Sequence, residues 1–82
     1  MATITIKLTQ DYQEVSAASL VLTGEVLNSG TVEIVNADST PASTVKGHSM
    51  FTIQPNILPA PASGSWYARI TSGSGFLVAT EV

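Results

Sequence analysis

The side chains that could do chemistry are few, and they form no recognised catalytic pattern. His48 is the only histidine, and serine and aspartate are also present, so a Ser–His–Asp hydrolase can be written down. The sequence lacks the G-x-S-x-G turn that exposes a nucleophilic serine in many hydrolases. We therefore interpret His48 as a polar or surface residue near the start of a strand, and we predict no catalytic residues and no enzyme activity.

Carboxylates are the other groups that could do chemistry, and the sequence holds six of them. They are Asp11, Glu14, Glu25, Glu33, Asp38 and Glu81. A glycosidase needs two carboxyl groups facing each other across a sugar ring, and nothing in the sequence indicates a cleft. No calcium-loop motif occurs, and the absence of cysteine excludes thiolate metal sites and disulfides. We predict solvated acidic side chains, no metal site and no cofactor.

Trp66 and Tyr67 suggest a carbohydrate-binding module, because aromatic rings stack on sugars. Adjacent residues of a strand point to opposite faces of the sheet, so these two rings cannot share one platform in a regular strand. We predict Trp66 in the core or an interface and Tyr67 on the other face. Arg69, the only arginine, suits an ion pair within the chain or between chains.

Short strands must position these side chains. Alternation of apolar and polar residues is typical of half-buried strands, and no helical pattern lasts eight residues. The predicted strands are Thr3–Thr9, Tyr12–Val15, Leu20–Leu27, Thr31–Asn36, Val45–Ile53, Ser65–Thr71 and Phe76–Val82. This spacing predicts one all-β domain over residues 1–82, a small antiparallel β-sandwich or barrel of six to seven short strands.

Glycine and proline predict the connections. Asn28-Ser29-Gly30 predicts a hairpin between the strands on either side of it, and the glycine-serine run 72–75 predicts a second hairpin. Gly24 predicts a bulge within its strand. The stretch Pro55–Pro61 predicts an extended connection without a regular strand, from which Ile57 and Leu58 pack on the core or on a neighbour.

Low charge is the most informative property of the composition. Only 11% of the residues are charged, compared with about 25% in an ordinary soluble domain, and the net charge is −3. No basic patch suits nucleic acid, no apolar run is long enough to span a membrane, and the first ten residues do not resemble a signal peptide. We expect a surface covered by a partner protein or by further copies of the chain. The predicted interface residues are Ile4, Ile6, Ile57, Leu58, Trp66, Tyr67 and Arg69.

Several short segments resemble small β-rich proteins encoded among the head and tail genes of tailed bacteriophages. They are Tyr12-Gln13-x-Val15, Asn28-x-Gly30-x-Val32, Ala37-Asp38-Ser39-x-Pro41-Ala42, Lys46-Gly47-His48 and Trp66-Tyr67-Ala68-Arg69. A proline-containing connection and a last strand after a glycine turn complete the resemblance, which covers most of the chain. The stretch Pro55–Pro61 and the longer first strand depart from the shorter members of this group.

This resemblance implies a structural protein of the virion, assembled in the host cytoplasm, and it carries over no functional residue. We expect a homo-oligomeric capsid decoration protein bound to a capsid or tail protein, without nucleic acid or membrane. The alternatives are a neck, collar or tail-fibre attachment protein and a carbohydrate- or receptor-binding module.

Overall fold

Eight β-strands make up the regular structure of the described part of the chain. The computed structural model describes residues 3–50 and 54–82. The strands are β1 (Thr3–Leu8), β2 (Gln13–Ser16), β3 (Leu20–Val26), β4 (Val32–Ala37), β5 (His48–Ser49), β6 (Asn56–Leu58), β7 (Ser65–Ile70) and β8 (Gly75–Glu81). These strands confirm the predicted all-β class, with one strand more than the upper number expected.

The strands form two four-stranded antiparallel sheets that pack as a sandwich. The first sheet has the order β1-β8-β3-β6 and the second the order β2-β7-β4-β5. Apolar residues at alternate positions of both sheets fill the space between them, as expected for strands with one buried face. The largest fully buried side chains are Leu8, Leu20, Leu22, Val32, Ile70 and Leu77. Of the two predicted alternatives, a sandwich or a barrel, the observed fold is therefore the sandwich.

Both predicted hairpins are wrong. The strand before Gly30 lies in the first sheet and the strand after it in the second, and β7 and β8 are separated in the same way. Each turn is therefore an arch that carries the chain across the core. Among the described strands, only β4 and β5 follow one another in sequence and also pair. The glycines correctly indicate short connections, but a short connection can join two sheets as well as two neighbouring strands.

The two arches pack against each other at one end of the sandwich. The Leu27 amide donates to the Ser74 carbonyl oxygen at 2.9 Å, and the Thr71 amide donates to the Thr31 carbonyl oxygen at 3.0 Å. The approach is so close that a Cβ atom on Gly30 would lie 2.2 Å from the Ser72 carbonyl oxygen. The arches therefore require glycine for backbone contact as well as for their positive φ angles.

Three smaller expectations also differ from the structure. Gly24 lies in continuous register with β8, so it forms no bulge; the irregularity occurs in β2 between Glu14 and Ser16. The proline-rich stretch contains strand β6, which the flanking prolines restrict to three residues at a sheet edge. The predicted strand Val45–Ile53 retains only β5 among its described residues, and its last three residues, Phe51 included, lie outside the described part.

Candidate interaction surface

The outer face of the first sheet is a surface with no net charge. Cross-strand register aligns its side chains in three rows. The rows are Lys7–Phe76–Glu25, Thr5–Val78–Thr23 and Thr3–Thr80–Val21–Ile57. We call these residues the threonine face. Four of them are threonine, and only the first row contains charged side chains.

The orientation of the threonine face follows from the core on the other side of the sheet. Leu22, Leu77 and Ala79 are fully buried, so the residues that alternate with them along β3 and β8 point outward. Val78 is 36% exposed and Ile57 is 78% exposed, which leaves apolar surface in water. Burying such surface against a partner would be favourable, at about 25 cal/mol per Å².

Hydroxyl groups on the threonine face satisfy part of their own hydrogen-bonding capacity. The Thr3 and Thr80 hydroxyl groups lie in adjacent strands and are 2.9 Å apart, so one donates to the other. A hydroxyl group that already has a partner loses less when water is removed than an unpaired one does. This pairing lowers the cost of covering the face with another protein surface.

Charge is distributed unequally between the threonine face and the rest of the molecule. Lys7 and Glu25 lie on either side of Phe76 in one row, and their charges cancel. The whole net charge of −3 therefore comes from residues off this face. The threonine face therefore adds no net charge repulsion when it meets another surface.

The connection over residues 38–47 covers part of the outer face of the second sheet. Nε and Nη2 of Arg69 both donate to Oε1 of Glu33, at 3.0 and 2.8 Å, and Nη1 donates to the Ser43 carbonyl oxygen. The two charged side chains are only 13% and 11% exposed. The hydrogen bond to Glu33 raises the pKa of Arg69 above its ordinary value. This ion pair anchors the connection over residues 38–47 to β4 and β7.

Tyr12 completes the cluster under that connection. The Arg69 guanidinium carbon lies 5.0 Å from the centre of the Tyr12 ring, within cation–π distance. The Tyr12 hydroxyl donates to the Val45 carbonyl oxygen at 2.7 Å. We interpret this cluster as a structural clamp, because its polar atoms are engaged by the chain.

Tyr12 also predicts a loss of stability at alkaline pH. Burial raises the pKa of Tyr12 above its ordinary value of 10.0, although Arg69 acts in the opposite direction. The unfolded chain then releases this proton at a lower pH than the folded protein does, so stability is retained below about pH 10 and decreases above it. Urea unfolding at several values between about pH 8 and about pH 11 measures this slope.

Tyr12→Phe is the control for the alkaline effect. It removes the titrating group, so its unfolding free energy should decrease less steeply above about pH 10, even though the lost hydrogen bond lowers stability at neutral pH. Equal slopes in the two proteins would contradict the assignment.

An apolar cavity lies near the edge where β5 and β6 end the two sheets. Its volume is about 150 Å³. Its described lining is Ile34, His48, Ser49, Met50, Asn56, Leu58 and Trp66. Pockets for small organic ligands are usually about 300–1,000 Å³, so this cavity is too small to enclose one. His48 itself is exposed on the two-residue strand β5.

The predicted interface residues are dispersed over the fold. Ile6 and Leu58 pack against the core, and Ile4 is 40% exposed on the inward side of β1. Trp66 packs against the core and donates from Nε1 to the Pro59 carbonyl oxygen at 2.9 Å.

Tyr67 and Arg69 lie on the outer face of the second sheet, where Tyr67 is 6% exposed and Arg69 is in the ion pair. Only Ile57 belongs to the threonine face. Sequence reasoning missed Phe76 and Val78, because β8 lacks alternation and its outward side cannot be read without the strand order. It missed Val21 because β3 begins with three apolar residues in a row, which do not show which of them points outward.

Comparisons with known proteins define no relative for this chain. No family model, no curated protein and no solved structure matches it. The part of the chain that the structure describes has no group of metal-binding side chains and no helix suited to crossing a membrane. The fold establishes the class of protein, a small antiparallel β-sandwich.

Proposed function

We propose that this protein is a non-enzymatic structural protein of a tailed-phage virion, a capsid decoration protein that docks on the shell through its threonine face. The observation that carries the proposal is the outer face of the first sheet, which is partly apolar and has no net charge. Interface cores are depleted in charged residues, and the second and third rows of this face contain none. The resemblance of several segments to phage head and tail proteins is the reason for proposing a virion protein.

Docking would stabilise the shell by mass action. A protein that binds only the assembled state shifts the equilibrium towards that state, in proportion to its concentration relative to its dissociation constant.

Copy number tests the proposal. Quantitative mass spectrometry of purified virions of the source phage should find hundreds of copies per particle. A few to a few dozen copies would replace decoration by a neck, collar or tail-fibre role. Complete absence from the particles would overturn the virion assignment.

A matched pair of variants tests the docking face. Val78 on the threonine face and Val45 in the 38–47 connection are 36% and 40% exposed. We expect Val78→Lys to abolish addition of the purified protein to shells that lack it, because the lysine would be buried without a partner. Val45→Lys should add normally. Equal binding by both variants in a sedimentation assay would exclude the threonine face as the docking surface.

The carbohydrate-binding alternative gains no support from the geometry. Trp66 packs against the core, and Tyr67 points to the opposite side of β7. A sugar-stacking platform needs an exposed ring face. A glycan array remains the direct test of this alternative, and binding that Trp66→Ala removes would establish it.

A further inference from the structure

We propose that the threonine face pairs with the same face of a second copy of this chain, across a two-fold axis that runs parallel to β8. The proposal rests on the proposed function in taking this face as the assembly surface: the pair is the state of the free protein, and it separates when the face docks on the shell. It follows from the position of the two charged residues in the first row.

The row Lys7–Phe76–Glu25 has β8 at its centre, with β1 on one side and β3 on the other. Two copies can stack their first sheets face to face around a two-fold axis that runs between the sheets, parallel to β8 and directly over it. This axis puts β8 of one copy over β8 of the other, and β1 of each copy over β3 of the other. Lys7 of each copy then faces Glu25 of the other, so two opposite-charge pairs form at once. Phe76 faces Phe76 between them.

The second row and the first three residues of the third row are compatible with the same axis, whereas Ile57 on β6 lies outside the overlap. Val78 faces its own copy at the centre, and Thr5 faces Thr23 from the other copy. Stacked sheets usually cross at about 30°, which displaces the charged ends of this patch by about 4 Å, within the reach of a lysine side chain.

A two-fold axis perpendicular to the strands gives a poorer interface. It reverses the strand direction of the second copy, so Lys7 comes opposite Thr3 and Glu25 comes opposite Val21 at the other end of the sheet. Both charges would then lack a partner. Like or unpaired charges across an interface disfavour a pairing, so the axis parallel to β8 is selected.

The size of the face sets the strength of the dimer. An axis over β8 makes three strands overlap, β1, β8 and β3. At about 4.8 Å apart and about 20 Å long, they give roughly 300 Å² for each copy. A stable interface needs about 800 Å² for each partner, so we infer a weak dimer that forms at high local concentration. Such a dimer suits a protein whose threonine face must be released before it docks on the shell.

Disulfide trapping tests the centre of the interface. The natural chain has no cysteine. Val78→Cys places one thiol from each copy beside the axis, and a mild oxidant such as diamide should convert it to a covalent dimer. Val45→Cys, with nearly the same exposure on the other side of the molecule, is the matched control. The proposal requires trapping of the Val78→Cys protein at least tenfold faster than of the control; equal rates would overturn it.

Charge reversal tests the axis. Lys7→Glu or Glu25→Lys alone should weaken association at least tenfold in sedimentation equilibrium at low salt, because each creates two like-charge pairs. The double variant restores both pairs and should return to within about threefold of the natural protein. A change in monomer stability could weaken the single variants, but it would not produce this recovery. A natural protein that stays monomeric at millimolar concentration, or association that ignores the charges, overturns the proposal.

These measurements use the purified chain, whereas the copy number is measured on virions. Failure of the dimer proposal can therefore be distinguished from failure of the proposed function. If the protein is a monomer in solution and is present in hundreds of copies per virion, the decoration proposal stands, and the partner of the threonine face is a shell protein and not a second copy. A dimer absent from virions retains this interface and removes the proposed function.

Discussion

Glu33→Leu is expected to destabilise the folded protein by about 3 kcal/mol, because it leaves the Arg69 guanidinium in a nearly buried position without its counter-charge. A chain of this length has a total stability of roughly 4–12 kcal/mol. The thermal midpoint should therefore fall by about 10–25 °C. Urea unfolding at low protein concentration, where association does not contribute, measures the change in free energy.

A double-mutant cycle separates the pair interaction from the loss of one group. Arg69→Met alone should cost a similar amount, since it leaves the Glu33 carboxylate buried and unpaired. The double variant Glu33→Leu/Arg69→Met removes both charges and should cost much less than the sum, because apolar side chains can replace a buried pair without penalty. The double variant should still be about 1 kcal/mol less stable than the natural protein, because replacing Arg69 also removes its hydrogen bond to the Ser43 carbonyl oxygen.

Glu14→Gln is the control for the cycle. Glu14 lies on the same face of the second sheet, is exposed, and accepts a hydrogen bond from the Ser65 hydroxyl at 2.6 Å. An amide oxygen can accept the same bond, so we expect a change below about 0.5 kcal/mol. If Glu33→Leu costs no more than this control, the clamp contributes nothing to stability.

The all-β class was predictable because strand formation leaves a local signal. Ile4, Ile6 and Leu8 alternate with polar residues over one strand, and this period alone identifies a half-buried strand. The inward side of β7 was predictable for the same reason. Alternation is a property of neighbours in sequence, so it can be recognised without knowledge of the fold.

Strand order was not predictable, because it depends on contacts between residues far apart in sequence. Thr3 pairs with Thr80 and Glu33 pairs with Arg69. No local sequence pattern predicts either pair. The threonine face could therefore not be assembled from the sequence. Its members lie on four strands, and their common surface exists only once the order β1-β8-β3-β6 is known.

Gly30→Ala is expected to destabilise the protein by about 2–5 kcal/mol, since two separate costs fall on one residue. The φ angle of Gly30 is +124°, in a region that residues with a Cβ atom rarely adopt. The new methyl group would also meet the Ser72 carbonyl oxygen of the other arch at 2.2 Å. Ser29→Ala, next to it on the exposed side of the arch, should change the stability by less than about 0.5 kcal/mol in the same urea experiment.

Gly30→Asn distinguishes an arch from a hairpin turn. In a two-residue hairpin turn, asparagine tolerates the left-handed conformation and replaces glycine at small cost. At Gly30 the φ angle lies well beyond the left-handed helical region near +57°, and the contact is with main-chain atoms that cannot move aside without separating the two arches. Asparagine should therefore cost as much as alanine. An asparagine variant within about 1 kcal/mol of the natural protein would show that the crossing between sheets does not depend on this backbone contact.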